Sequence, residues 1–193
     1  MRGVLTAIFM LLALSVSADE RGEARLQRIS RHYAAMGNYS VSFVLRVGGG
    51  EQRGYMQVEG NNSYLKVADT EIFVADSVRY EVRTSSKEVI IDKSDAYEKE
   101  LLNPLNGFSG VTAGYMVEEC NIEGRIAVKL TPKQSGETVY IITGVDGESI
   151  AKVQYGAGEG RVEVVVDSSR KAAQRLPVFS KERYKGFELI DFR

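Results

Sequence analysis

A single cysteine and a single histidine in 193 residues remove several kinds of chemistry at once. With only Cys120, an exported chain has no internal disulfide, so its stability must come from packing. Cys120 closes the run Tyr115-Met116-Val117-Glu118-Glu119-Cys120 and reads as a small buried side chain in a strand, intermolecular pairing being the other reading. The lone His32 lies beside Tyr33, away from any recognisable nucleophile. A metal-ligand cluster would need further histidines or cysteines. A Ser-His-Asp assembly is left open by sequence alone, yet its elbow motif is missing. The acid pairs Glu118 and Glu119, and Glu98 and Glu100, could serve as general acids but read more simply as solvated strand and loop charges. Gly48-Gly49-Gly50 precedes a strand where a phosphate cradle would precede a helix, and Gly156-Ala157-Gly158-Glu159-Gly160 has neither the spacing nor the context of a dinucleotide fingerprint. The expectation is a protein that is not an enzyme, with no catalytic residue, metal site or cofactor.

Two further shortages narrow the class. No apolar run reaches the ~20 residues of a membrane-spanning helix. The stretch from Val4 to Val16 is shorter, follows Met1-Arg2, and ends in Ser17-Ala18 before Asp19 and Glu20, the pattern of a secretory signal peptide over residues 1–18. No cysteine follows that cleavage point to take a lipid anchor. The expected location is therefore periplasmic, beyond the inner membrane. Charge is also unconcentrated: loss of Arg2 takes the net value from −1 to −2 with no block of either sign, which argues against a nucleic-acid partner.

About 175 residues remain, enough for one domain over 19–193. From Arg25 to Met36, Leu26, Ile29, Tyr33 and Met36 recur at three and four, which predicts a helix ended by Gly37-Asn38. Alternation follows: Val41, Phe43, Leu45 and Val47 point one way, Ser42, Val44 and Arg46 the other. The pattern returns in Tyr55 to Glu59, Tyr64 to Val67, Ile72 to Ala75, Arg79 to Arg83 and Val89 to Asp92, a run of antiparallel hairpins. Glu100 to Gly110 breaks it with a short apolar helix or turn. Strands resume in Tyr115 to Cys120, Ile126 to Leu130, Val139 to Thr143, Ile150 to Tyr155 and Arg161 to Val166, followed by a helical piece at Ser168 to Leu176 and a last strand at Phe187 to Phe192. The expected fold is α+β: a single antiparallel sheet of about eleven strands, too long to stay flat, curved into an unclosed half-barrel with helices over its concave face.

Three stretches carry a resemblance to a known family. They are Val74-Ala75-Asp76-Ser77-Val78-Arg79-Tyr80-Glu81-Val82 with Asn103-Pro104-Leu105 beyond it; Val128-Lys129-Leu130-Thr131-Pro132-Lys133 with Val139 to Ile142, Asp146-Gly147 and Ile150 to Tyr155; and Leu176-Pro177-Val178-Phe179 with Phe187-Glu188-Leu189-Ile190-Asp191-Phe192-Arg193. In order and spacing the chain resembles the periplasmic outer-membrane lipoprotein carriers, the LolA family, over nearly all of its mature length. The resemblance implies an unclosed half-barrel and a carrier or chaperone that takes acylated lipoprotein from an inner-membrane donor transporter to an outer-membrane acceptor. Where the family commonly carries Arg-Pro after the second strand, with the Arg holding the lid closed, this chain has Gly60-Asn61.

Such a carrier needs an apolar concave wall and a cover, because each buried methylene contributes ~0.8 kcal/mol and no directional chemistry is required. The expected lipid-binding wall is Phe43, Leu45, Met56, Val58, Leu65, Tyr80 and Val82. The expected lid is Leu101, Leu102, Leu105 and Phe108, whose apolar contacts hold the empty cavity shut in the absence of the family's Arg. A monomer is expected. The alternatives are a lipid- or lipoprotein-sensing interaction domain of the same fold, or a carrier of another lipid.

Overall fold

The computed structural model describes residues 18–94, 108–156 and 160–193. Of the signal-peptide reading over residues 1–18, residues 1–17 lie outside them. The first element is α1 (Ala18–Met36). It is longer than the apolar periodicity predicted, because Glu20, Arg21, Glu23 and Ala24 are good helix formers that add turns without adding apolar residues. Its buried face runs through Gly22, Arg25, Leu26, Ile29 and Tyr33, one residue per turn or nearly so. Gly37 ends it in the left-handed region at φ 68°, donating its N–H to the Ala34 carbonyl at 3.0 Å.

Six strands follow as a meander: β1 (Tyr39–Val47), β2 (Gly50–Glu59), β3 (Asn62–Val67), β4 (Thr70–Ala75), β5 (Val78–Arg83) and β6 (Glu88–Lys93). After Phe108 comes the short α2 (Ser109–Gly114), then β7 (Tyr115–Ile122), β8 (Arg125–Pro132), β9 (Val139–Thr143), β10 (Ile150–Tyr155) and β11 (Val162–Lys171), and finally β12 (Glu188–Asp191). All twelve form one sheet in the order β12-β6-β5-β4-β3-β2-β1-β11-β10-β9-β8-β7. The twelve strands among the described residues agree with the sequence count of about eleven.

Two corrections concern the end of the chain. The helical piece expected at Ser168 to Leu176 is absent: β11 runs on to Lys171 and pairs Ser168 to Lys171 with Ser42 to Tyr39 of β1. Partnership with β1 outweighs the helical propensity of a short polar stretch. The last strand pairs with β6 in parallel, where the hairpin pattern predicted an antiparallel sheet throughout. Residues 172–187 form a strap that climbs back to the end of the sheet where β6 begins, so β12 must enter in the same direction as β6.

The sheet is curved and unclosed. Seven strands separate β2 from β7 inclusively, roughly 29 Å at the ordinary strand spacing. Even so, Val58 of β2 and Val117 of β7 belong to one buried cluster with Leu26, Ile29 and Tyr33 of α1. The sheet must therefore curl around α1, which lies in its concave side. Bulges help it bend: the β1–β11 register shifts between Ser42 and Phe43, and the β9–β10 register shifts between Ile150 and Lys152.

Candidate lipid-binding face

The concave face is anchored before it is lined. Arg25, 10 % exposed at its side chain, donates Nε–H to Glu119 Oε2 at 2.9 Å and Nη1–H to the Gly147 carbonyl at 2.9 Å. One guanidinium thereby ties α1 to β7 and to the β9–β10 turn. Glu119, read from the sequence as a solvated strand charge, is half-buried and serves as this anchor; its neighbour Glu118 pairs with Lys129 at 3.0 Å on the other face. Tyr33 accepts a hydrogen bond from the Ile150 N–H at 3.3 Å, which fixes the far end of the helix over β10.

Under and beside α1 the floor is apolar. In one cross-strand row Val41 partners Met56, Met56 partners Leu65, and Leu65 partners Ile72. A second row holds Tyr39, Val58, Ser63 and Val74. Phe43 and Leu45 share this face with Val166 and Val164 of β11. Tyr39, Val41, Phe43 and Val58 are buried, whereas Leu45, Met56, Leu65 and Ile72 are half-buried. The apolar strip thus continues past the tight core beneath the helix, and it stops at β5, where Arg79, Glu81 and Arg83 occupy the same face. Arg79 and Arg83 both pair with Glu81, at 2.5 and 2.7 Å.

The expected wall is therefore divided. Phe43, Leu45, Met56, Val58 and Leu65 lie together on the concave face. Tyr80 and Val82 lie on the convex one. Tyr80 is the register partner of Phe73, and Phe73 of Tyr64, which is one residue out of phase with Leu65. A shift of one position turns a side chain through the sheet, and β5 carries its apolar residues on the opposite phase from β1 to β3. There Tyr80 stacks on Phe179 of the strap with centroids 4.2 Å apart and planes 10° apart, and Val82 is fully buried in the same cluster. Of the expected lid, Leu101, Leu102 and Leu105 lie outside the described residues. Phe108 is 1 % exposed in the core with α1, and holds a left-handed backbone at φ 58°, a costly conformation for an aromatic residue.

Sequence reasoning missed Tyr39, Ile72 and Val74 on this face. Extending the alternation of Val41, Phe43 and Leu45 back by two would have found Tyr39, and carrying the hairpin registers one strand further would have found the other two. Cys120 is half-buried in β7, and burial pushes its thiol pKa up, with Lys129 opposing the shift. His32 makes an edge contact with Tyr33 and stands 4.0 Å from Glu148.

On this geometry the chain is similar to an uncharacterised conserved protein from Thermus thermophilus, with TM-score 0.55 and 8% identity, over 88% of this chain and 98% of that one. The two share a fold. The chain is also similar, with TM-score 0.46 and 17% identity, to the MucA/MucB complex of Pseudomonas aeruginosa, over 86% of this chain but only 61% of that one. A DUF1329 family protein from Desulfovibrio piger gives TM-score 0.45 and 11% identity, over 89% of this chain and 98% of that one. No family model and no curated protein sequence matches the chain.

Proposed function

We propose that the protein is a non-enzymatic periplasmic carrier whose concave face shields the acyl chains of a lipoprotein and passes them toward the outer membrane. The observation that carries this reading is the apolar strip from Val41 through Met56, Leu65 and Ile72, which remains half-buried beyond the edge of the helix-covered core. A sixteen-carbon chain laid on such a strip would gain on the order of 10 kcal/mol from burial before ordering costs, on the scale of ~0.8 kcal/mol per methylene. The resemblance of the sequence to the lipoprotein carrier family supports the same reading. On it, the partners are an inner-membrane donor and an outer-membrane acceptor that holds the cargo more tightly, since a carrier moves nothing without differential affinity.

The test is native mass spectrometry with lipid extraction on the mature protein isolated from its own periplasm. A co-purifying acylated protein supports the carrier reading. A free lipid alone moves the function to lipid transport, and an acyl-free protein that also takes up no acyl probe overturns both.

A further inference from the structure

We propose that the Tyr39 hydroxyl is the polar contact for the ester or amide carbonyl of an acyl ligand on the concave face; this rests on the acyl-binding reading above. Tyr39 is fully buried in the cluster beneath α1, and among the described residues its hydroxyl finds no hydrogen-bond partner. Buried polar atoms are nearly always paired, so an orphan in the core that adjoins an apolar strip marks a group held for something else. The contrast with Tyr33 is direct. The two rings touch at 4.8 Å, yet Tyr33 uses its oxygen to accept the Ile150 N–H.

The position is right for an acyl ligand. Tyr39 partners Val58 across β1 and β2, one row from Val41, Met56 and Leu65, so the residue sits in the buried core on the face that carries the strip. Desolvation drives its pKa far upward, which keeps the phenol a neutral donor at any working pH. A neutral donor in a dry setting selects a neutral acceptor. A free carboxylate would bring an unpaired charge into that cluster, where the buried cation, Arg25, is already engaged by Glu119 and the Gly147 carbonyl. The ligand class is therefore an acyl ester or amide rather than a free fatty acid.

The experiment compares wild type with Tyr39→Phe in competition binding, using 1-monopalmitoylglycerol, its hexadecyl ether analogue without the carbonyl, and palmitate. Wild type should favour the ester over the ether about tenfold, the scale of one buried hydrogen bond, and should bind palmitate less well than the ester. Tyr39→Phe should lose the ester preference, keep its affinity for the ether and melt at a higher temperature, because the unsatisfied hydroxyl is gone. Equal affinities in wild type, or the same ratio in Tyr39→Phe, overturn the assignment while leaving acyl binding in place. If wild type binds neither the ester nor the ether, the acyl reading itself falls.

Discussion

The outer end of the Phe43 ring occupies the space over Gly54 on the neighbouring strand: a Cβ on Gly54 would stand 2.2 Å from Phe43 Cζ and 2.4 Å from Cε2. The missing side chain is what lets the aromatic ring extend over the neighbouring strand on this face.

Gly54→Ala should therefore lift the ring, costing about 1–3 kcal/mol as overpacking of a formed core. The expected reading is a lower urea midpoint at unchanged slope, together with weaker binding of an acyl probe. The double variant with Phe43→Leu should recover much of the loss. Full stability in Gly54→Ala alone would sink the assignment of Gly54 as a clearance for Phe43.

Gly22 sets the approach of α1 to β7. A Cβ there would meet Val117 Cγ1 at 2.8 Å and the Val117 carbonyl carbon and oxygen at 2.9 Å, and backbone cannot swing aside. Alanine is worth about 1 kcal/mol more than glycine inside a helix, so two effects of opposite sign compete. The clash should win, and Gly22→Ala should lower the thermal midpoint; a rise would mean that α1 can stand off from β7 without loss.

Glu71 fastens the strap to the convex face. It accepts hydrogen bonds from Tyr64 Oη at 2.9 Å, Arg183 Nη2 at 3.0 Å and Tyr184 Oη at 3.2 Å. Burial alone would raise its carboxyl pKa, but the Tyr64 hydrogen bond and the charges of Arg183 and Lys66 outweigh burial and hold it below the usual value of 4.5. Burial and the adjacent carboxylate push the Tyr184 phenol up to about 12. A depressed carboxyl contributes stability that is complete above the unfolded pKa and lost as pH falls through the folded one. Glu71→Gln should thus cost about 1–3 kcal/mol at pH 7, and its deficit against wild type should close as pH drops below about 4.5. Parallel melting curves for the two proteins from pH 7 to pH 3 would refute the latch.

Local pattern foretold much of the sheet. The strands at Val139–Thr143 and Ile150–Tyr155 match their predicted limits, and β1 differs only by two residues at its start. These are short runs rich in β-branched and aromatic residues bounded by glycine and polar turns, so local composition and structure agree on where they begin and end. Ser168 to Lys171 failed for the opposite reason: its residues have little pattern of their own, and their strand state is imposed by β1.

The candidate site shows the same division. Phe43, Leu45, Met56, Val58 and Leu65 were legible because they follow one alternation through three consecutive strands. Tyr80 and Val82 were equally apolar and were placed on the wrong side, since the phase of one strand relative to another is set by turn length and register, not by composition.

The sequence by itself determined the strand periodicity and the amphipathic helix, because these depend on residue type and near-neighbour spacing. Tertiary structure alone decided that the sheet wraps α1, that the strap clasps the opposite face through Glu71, that β12 runs parallel to β6, and that Tyr39 is buried with no partner for its hydroxyl among the described residues. Each of these is a contact between residues far apart in the chain, and no local energy term carries that information.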